Sequence, residues 1–299
     1  MTAPDISLIF ETDNNQEHRR IQLAEVAQIW KSQTAADRIL ECLLVATRPI
    51  SPEEERALAG LPYRWIVRPN TTYYVQKNIG IAESRGAYFA LVDSDARPDP
   101  DWLEQALAAM KEAPPDVAIV TGRTRYDYGP FSKEVTIANF PFQHAHSYDV
   151  LTVGAGNSIF RGDLLRRFRF EGDAIRHGAD SDLANRVQEA GYRVVYDPRL
   201  KLTHNYTDRL TDLWGNVGMK GHAFALYAAF RSQRLRHPLV DAIGRYRVLL
   251  ARLLKLRRPM GIPLWRLPLS ALFYLWYVVA TGRGYALALR GKPAPASRL

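Results

Sequence analysis

Two aspartates, two residues apart, follow an apolar run near the end of the first third of the chain. Residues 87–92 lead directly into Asp93-Ser94-Asp95. Carboxylates at positions i and i+2 beyond a strand end can converge on one hard divalent cation. Such a cation would bridge them to a diphosphate and neutralise the charge of a departing nucleotide. The alternative is an acidic loop that caps the following helix.

A second acidic segment begins at Asp180. Asp180 or Ser181 could cap a helix, and Asp182 precedes Arg186 by four residues, the spacing of an ion pair along a helix. A carboxylate at a helix N-terminus could instead act as a general base that deprotonates an acceptor hydroxyl group. His204 is a candidate distant partner of the Asp93 segment, although a lone histidine more often has a structural role.

Alternating strand and helix patterns surround these candidates. Apolar, β-branched runs predict strands at residues 6–10, 40–46, 63–68, 87–92, 116–121, 192–196 and 200–204, the last two separated by Asp197-Pro198. Helices are predicted at residues 16–31, after Ser51, at 75–85, after an Asp99 cap and at 180–190. The alternation predicts an α/β fold with a Rossmann-like, mostly parallel sheet flanked by helices. Ligands of such sheets bind beyond the carboxyl ends of the strands.

The composition is that of a folded domain, with 47% hydrophobic and 24% charged residues. One cysteine, Cys42, excludes an intrachain disulfide framework, and its apolar neighbours predict a buried structural thiol. The first residues lack a basic segment followed by a long apolar stretch, so we expect no secretory signal peptide. These features together predict a cytoplasmic location.

Several blocks, taken in their order along the chain, resemble the inverting family 2 glycosyltransferases. They cover about residues 5–225. The blocks are Glu11-Thr12-Asp13-Asn14, Lys77-Asn78-Ile79-Gly80, residues 86–98 with Asp93-Ser94-Asp95, Gly156-Asn157-Ser158, residues 179–186 with Asp180, residues 191–198, and His204. The resemblance implies a GT-A fold, a nucleotide-diphosphate sugar as donor, with a UDP-sugar favoured, and Mn²⁺ or Mg²⁺ as cofactor.

The resemblance also implies roles for the matching residues. Asp180 matches the catalytic base. Nucleotide-sugar contacts are implied for Glu11, Thr12, Asp13, Lys77, Asp93, Ser94, Asp95 and Asn157, and metal contacts for Asp93, Asp95 and His204. Three positions depart from the family pattern. Glu11 replaces the usual proline after the first strand, the acid expected after the second strand is absent, and Ala179 replaces the usual glutamate before the base.

The C-terminal segment has a different charge from the rest of the chain. Residues 231–299 contain 14 Lys/Arg and one acid, a net charge of +13 against −4 for the preceding residues. In residues 231–258 leucines alternate with basic residues, as in a helix lying on anionic lipid. Residues 267–280 carry no charge but are shorter than the roughly 20 residues of a membrane span. We expect peripheral membrane contact through residues 231–290; a helical subdomain packed on the catalytic core is the alternative.

These patterns predict two domains. Residues 1–225 form the catalytic domain, with a nucleotide-sugar half at about 1–122 and an acceptor half at about 123–225, and residues 226–299 form a basic, partly apolar helical extension. Nucleic-acid binding is not expected, because no binding module is recognisable. A dinucleotide oxidoreductase is disfavoured, because no Gly-x-Gly-x-x-Gly follows the first strand.

The predicted function is inverting, metal-dependent transfer of a sugar to a hydroxyl group of a glycan or lipid-linked acceptor. It would serve the assembly of a glycan, polysaccharide or glycolipid at the cytoplasmic face of a membrane. Two alternatives stay open: a polyprenyl-phosphate glycosyltransferase of the same fold, and a catalytically silent, membrane-tethered protein that binds nucleotide-sugars.

Overall fold

A computed structural model of the chain describes residues 5–12, 23–93, 96–127, 129–140, 143, 146–171, 178–205, 210–231, 233 and 237–294. The chain divides into two compact units, the first made of residues 1–124 and 145–205 and the second of residues 125–144 and 206–299. The predicted division into residues 1–225 and 226–299 stays a prediction.

One sheet runs through the described residues in the order β3-β2-β1-β4-β8-β6-β9-β5, with β7 beside β9. Its strands are β1 (Ile6–Glu11), β2 (Ile39–Ala46), β3 (Tyr63–Val67), β4 (Tyr88–Val92), β5 (Ala96–Pro98), β6 (Val117–Asp127), β7 (Tyr148–Asp149), β8 (Asn157–Arg161) and β9 (Arg193–Asn205). Strands β3, β2, β1 and β4 pair in parallel, whereas β8 pairs antiparallel with β4 and β6. The predicted α/β fold with a mostly parallel sheet and flanking helices is confirmed.

Ten α-helices lie within the described residues. They are α1 (Leu23–Lys31), α2 (Pro52–Leu58), α3 (Tyr73–Glu83), α4 (Trp102–Glu112), α5 (Ser132–Asn139), α6 (Gly162–Phe168), α7 (Ala179–Glu189), α8 (Leu210–Phe230), α9 (Pro238–Leu256) and α10 (Leu267–Leu289). The predicted start of α2 is confirmed by a capping box between Ser51 and Glu54. The predicted Asp99 cap of α4 is wrong, because Asp101 holds the N-cap position and its side chain makes no capping bond.

The core of the first unit lies between the sheet and its helices. Phe10 on β1, Trp30 on α1 and Trp102 on α4 pack edge to face, with ring centroids 5.7 Å and 5.9 Å apart. Cys42 is buried among these elements, and burial raises the pKa of its thiol to about 12. The predicted structural thiol is therefore confirmed, because a thiol this hard to ionise is a poor nucleophile.

Strand β9 corrects one prediction. Asp197-Pro198 does not separate two strands, because one 13-residue strand runs from Arg193 to Asn205. Its two ends pair with different neighbours, β7 through Tyr196 and β5 through His204. The Asp197 carboxylate accepts the backbone N–H of Arg199 at 2.9 Å, so its polar group is satisfied without ending the strand.

The second unit is helical. The uncharged residues 267–280 form the first part of a longer helix, the 23-residue α10. With the preceding turn, residues Leu264–Leu289 contain an 18-residue window with a mean hydropathy of 1.2, and they are long and apolar enough to cross a membrane, by length and composition alone. Helices α8 and α10 approach closely, since a Cβ on Gly284 would overlap the carbonyl oxygen of Gly218.

Candidate active site

Asp93 lies at the carboxyl end of β4, where the predicted metal and donor site begins. The last residue of β4, Val92, pairs with Asn157, the first residue of β8. This register places Gly156 beside Asp93, and a Cβ on Gly156 would overlap the carboxylate. Glycine at this position therefore leaves space for the Asp93 side chain.

Three side chains converge on the Asp93 carboxylate. Lys77 Nζ lies 2.9 Å from Oδ1, and the Tyr73 hydroxyl donates a hydrogen bond to the same oxygen. His204 Nε2 lies 3.3 Å from Oδ2. Lys77 is fully buried and its ammonium lies 4.5 Å from the centroid of the Tyr73 ring, so the cation is held by both charge and ring contact.

These contacts set the protonation state of Asp93. Burial by itself would raise the pKa of the carboxyl group, but the Lys77 charge and the His204 and Tyr73 hydrogen bonds outweigh it. The pKa of Asp93 is held well below its usual range, so the side chain is a carboxylate at neutral pH. Burial, followed by the charges of Asp93 and Glu11, raises the pKa of Tyr73, which therefore remains a hydrogen-bond donor.

Helix α3 brings the cluster together. Tyr73, Tyr74 and Lys77 are three and four residues apart and so occupy one face of its first turns. Gln76 on the same helix accepts the backbone N–H of Thr12 at 3.2 Å, which joins α3 to the end of β1. On the other side, the β5–β9 register pairs Ala96 with His204 and thereby places the imidazole beside the β4 end.

Asp180 lies in the first turn of α7. The predicted helix cap by Asp180 or Ser181 is wrong, because Gly178 holds the N-cap position with φ of 88° and the cap has no side-chain hydrogen bond. The Asp180 carboxylate accepts the Ser181 N–H at 2.8 Å. Its place at the helix N-terminus stabilises its negative charge.

Tyr74 links Asp180 to the Asp93 cluster. Burial raises the pKa of the Tyr74 hydroxyl, and the charges of Asp180 and then Asp93 raise it further. The hydroxyl also has a hydrogen bond with the Asp180 backbone. Both carboxylates therefore act on the hydroxyl of one buried tyrosine, and the catalytic role of Asp180 stays a prediction.

Asp182 has the structural role that its spacing indicates. Its carboxylate accepts a hydrogen bond from Arg186 Nε at 2.7 Å, and the predicted i,i+4 pair is confirmed. Arg186 also donates to the backbone carbonyl groups of Phe168 and, at 2.6 Å, Arg169. The pair therefore fastens α7 to the turn that follows α6.

The other residues predicted to contact the nucleotide-sugar are either buried among protein partners or outside the described residues. Glu11 is fully buried, and Thr12 is bound by its backbone to Gln76. Asn157 is buried; its Oδ1 accepts from Trp102 Nε1 at 2.7 Å and its Nδ2 donates to Thr124 at 3.1 Å. These bonds hold β8 in place, and a donor contact of Asn157 stays a prediction. Asp13, Ser94 and Asp95 lie outside the described residues.

The described side chains partly fit a divalent cation. Within the part of the chain that the structure describes, no group of three or more His, Cys, Asp or Glu side chains could hold a metal ion. Asp93 Oδ2 and His204 Nε2 nevertheless face each other at 3.3 Å, an oxygen and a nitrogen of the kind that Mn²⁺ accepts. Asp95, the third predicted ligand, lies outside the described residues.

Tyr73 and Tyr74 are the site residues that sequence reasoning missed. The predicted helix began at residue 75, whereas α3 begins at Tyr73. Extending the helix backwards by one turn would have found them, because they precede Lys77 by four and three residues.

Comparison with known proteins gives a consistent picture. Residues 46–171 match the model of the family described as glycosyl transferase family 2. Pre-mycofactocin glycosyltransferases of Mycobacterium tuberculosis, from strains CDC 1551 / Oshkosh and ATCC 25618 / H37Rv, are each 28% identical over 171 residues. The match covers 54% of this chain and 35% of each relative, so the chain spans about a third of their length.

Two solved structures share the fold. The mannosyltransferase PcManGT from Pyrobaculum calidifontis, in complex with GDP-Man and Mn²⁺, superposes with a TM-score of 0.66 at 17% identity, over 98% of this chain and 89% of its own. GalNAc-T7 with UDP, GalNAc and Mn²⁺ has a TM-score of 0.55 at 10% identity, over 69% of this chain and 44% of its own. The fold is that of GT-A glycosyltransferases, and the comparisons together support a family 2 glycosyltransferase.

Proposed function

We propose that this chain, with its GT-A fold and its match to glycosyl transferase family 2, is an inverting, metal-dependent glycosyltransferase. It moves a sugar from a nucleotide-diphosphate sugar to the hydroxyl group of an acceptor. The observation that carries the proposal is the Asp93 carboxylate at a strand end, 2.9 Å from Lys77 and 3.3 Å from His204, together with a second carboxylate, Asp180, in the first turn of a helix. One suits a donor and cation contact and the other suits a base.

The donor side is built around the charge of Asp93. Asp93, His204 and the predicted ligand Asp95 would hold Mn²⁺ or Mg²⁺, which neutralises the diphosphate when bound. Lys77 is fully enclosed and faces Asp93, so it acts on the donor through the carboxylate it keeps ionised. A UDP-sugar is the first candidate donor, and a GDP-sugar is the second because PcManGT was solved with GDP-Man.

The transfer step needs one proton acceptor. Asp180 takes the proton of the acceptor hydroxyl as that oxygen attacks the anomeric carbon. The bond from the anomeric carbon to the diphosphate oxygen breaks on the opposite face, and the electron pair leaves with the nucleotide. The product therefore has the inverted configuration. Tyr74 positions Asp180 through its hydrogen bond with the backbone of that residue.

Asp180→Asn tests the base. We expect transfer to fall about 10²- to 10⁴-fold because the amide cannot accept the proton. Nucleotide binding with Mn²⁺, measured by calorimetry, should stay within about twofold of wild type, because Asp180 contacts the acceptor rather than the donor. Asp163→Asn is the matched control, because Asp163 is also the second residue of a helix, α6. Full transfer activity in Asp180→Asn would remove the base from the proposal.

The acceptor is proposed as a glycan or lipid-linked hydroxyl. A polyprenyl phosphate needs no base, so retained activity of Asp180→Asn on such a phosphate would favour that alternative. Binding of UDP with neither transfer nor donor hydrolysis in Mn²⁺ would favour the catalytically silent alternative. A location at the cytoplasmic face of a membrane stays a prediction from sequence.

A further inference from the structure

Helix α10 has an exposed face that is apolar over four turns. The residues recur at intervals of three and four, which places them on one side of the helix. They are Trp265 in the preceding turn, Leu269, Leu272, Leu275 and Val279, each between 45% and 75% exposed. Isolated exposed leucines are common, but a continuous row led by a tryptophan that is 75% exposed is not.

The same face ends in positive charge. Arg283 lies four residues beyond Val279 and Arg290 lies seven residues beyond Arg283, so both continue the row, and both are exposed. Asp241 is the only acid in residues 231–299, and it pairs with Arg245 on α9. No acidic side chain of α10 therefore opposes an anionic partner. We name the face from Trp265 to Arg290 the α10 row.

The opposite face of α10 is fixed within its own unit. Ser270 donates to the buried Glu134 carboxylate at 2.7 Å, and Tyr274 donates to the Glu134 backbone carbonyl at 3.1 Å. Phe273 stacks on Phe131 with ring centroids 4.5 Å apart. These contacts fix the rotation of α10, so the α10 row remains on the exposed side of the helix.

Helix α9 argues against a spanning orientation. Its Tyr246 hydroxyl donates to the Ala271 carbonyl of α10 at 3.3 Å, so the two helices pack together. If α10 crossed a bilayer, α9 would enter it with the exposed Arg247 near the middle of that helix. Each charge at a bilayer centre costs about 2.5–3.5 kcal/mol on insertion scales. Lying in the interface avoids this cost.

We propose that the α10 row is a docking surface for an anionic lipid bilayer. Trp265 and the leucines enter the boundary between headgroups and acyl chains, and Arg283 and Arg290 contact lipid phosphates. The exposed face of α9 has the same mixed character, with Val240, Ile243 and Leu254 beside Arg247, and Arg258 follows just after the helix. The proposal does not depend on the proposed sugar transfer.

Vesicle sedimentation tests the proposal with the whole chain. We expect stronger binding to vesicles of phosphatidylcholine and phosphatidylglycerol at about three to one than to phosphatidylcholine alone, and weaker binding in high salt. The double variant Leu272→Ser/Leu275→Ser should lower the partition constant about tenfold. It should melt like wild type, since exposed substitutions change stability little.

Two further outcomes decide the assignment. Leu226→Ser removes an equally exposed leucine from α8 of the same unit and should keep vesicle binding. An equal loss in this control would show that binding follows general hydrophobicity and would overturn the assignment to α10. The wild-type chain could instead bind neither type of vesicle and form dimers in sedimentation velocity that the double variant abolishes. That result would overturn the bilayer as the partner and assign the α10 row to a second copy of the chain.

Fluorescence gives an independent readout. Trp265 is exposed in the free protein, so anionic vesicles should shift wild-type emission to shorter wavelength. Trp265→Phe should lose most of that shift. An undiminished shift in Trp265→Phe would mean that another tryptophan enters the bilayer and that the α10 row does not.

Discussion

Each unit of the molecule contains a carboxylate held by a buried ion pair. Asp93 in the first unit lies 2.9 Å from Lys77, and Glu134 in the second lies 2.9 Å from Arg266. Glu134 is fully enclosed, and Ser270 and Arg266 occupy its oxygens. Asp93 keeps 12% of its side chain exposed at a strand end. The same pairing chemistry therefore serves packing in one unit and a candidate site in the other.

The difference lies in what surrounds each pair. A closed pair fixes neighbouring elements, here α5 and α10, and removing one partner leaves an uncompensated charge. The Asp93 pair adds the His204 imidazole on its second oxygen and the Tyr73 hydroxyl on its first. A buried ion pair indicates a functional site when an open strand end and further ligand-type groups accompany it.

The largest expected effect on stability comes from Glu134→Gln. The change leaves the charge of Arg266 without its partner, so the free energy of unfolding should fall by about 2–3 kcal/mol. Urea denaturation measures it, and nucleotide binding at 25 °C should be unchanged. Glu112→Gln is the control, because Glu112 pairs with Arg199 at the surface and should leave the unfolding midpoint unchanged. Unchanged stability of Glu134→Gln would remove the structural role of that pair.

The next effect, on nucleotide affinity and its pH dependence, comes from Lys77→Met. Lys77 lowers the pKa of Asp93 while burial raises it, so the pKa of Asp93 rises when the cation is removed. A lowered pKa keeps the carboxylate ionised as the pH falls. In the variant, the affinity for UDP and Mn²⁺ measured by calorimetry should be about tenfold weaker at pH 7. As the pH is lowered, the further loss of affinity should begin at a higher pH in the variant than in wild type.

The Lys77→Met comparison has a matched control. Lys133 is exposed and donates to the Gly261 carbonyl at 2.9 Å in the second unit, so Lys133→Met removes a lysine charge away from Asp93. It should leave the pH profile of nucleotide binding at the wild-type position. Identical profiles for wild type and Lys77→Met would contradict a role for Lys77 in holding the Asp93 charge.

The smallest effect is expected from Tyr73→Phe. The change removes one hydrogen bond to Asp93 but keeps the ring beside Lys77, so nucleotide affinity should fall about threefold to tenfold. Tyr277→Phe removes a buried hydroxyl that bonds Asn139 at 3.2 Å in the second unit and should leave nucleotide affinity unchanged. A loss of affinity in Tyr277→Phe as large as that in Tyr73→Phe would mean that both changes act through stability.

The strands and most helices of the first unit follow from sequence pattern. Apolar runs bounded by polar or turn residues identified β1 to β4, and the Ser51 capping box identified α2. The continuous β9 could not be predicted, because Asp197-Pro198 is a strong local stop signal. Pairing with β5 and β7, which only the folded sheet supplies, keeps the strand intact.

The sequence predicted which residues belong to the site but not which of them contact each other. The ordered motifs identified Asp93, Lys77, Asp180 and His204 as candidates. That Lys77 faces Asp93, and that Tyr73 donates a hydrogen bond to the same carboxylate, depends on the packing of α3 against the sheet. Asn157 illustrates the reverse case, because a motif residue has buried partners that its sequence neighbours do not reveal.

Nucleotide-induced thermal stabilisation of Asp93→Asn tests the central claim most directly. A ligand that binds only the folded state raises the melting temperature by mass action. In wild type we expect UDP or GDP to raise it when Mn²⁺ is present and far less without the metal. Asp93→Asn should lose the Mn²⁺-dependent rise, whereas Glu134→Gln should retain it from a lower starting temperature. An undiminished Mn²⁺-dependent rise in Asp93→Asn would show that the strand-end carboxylate is not the donor site.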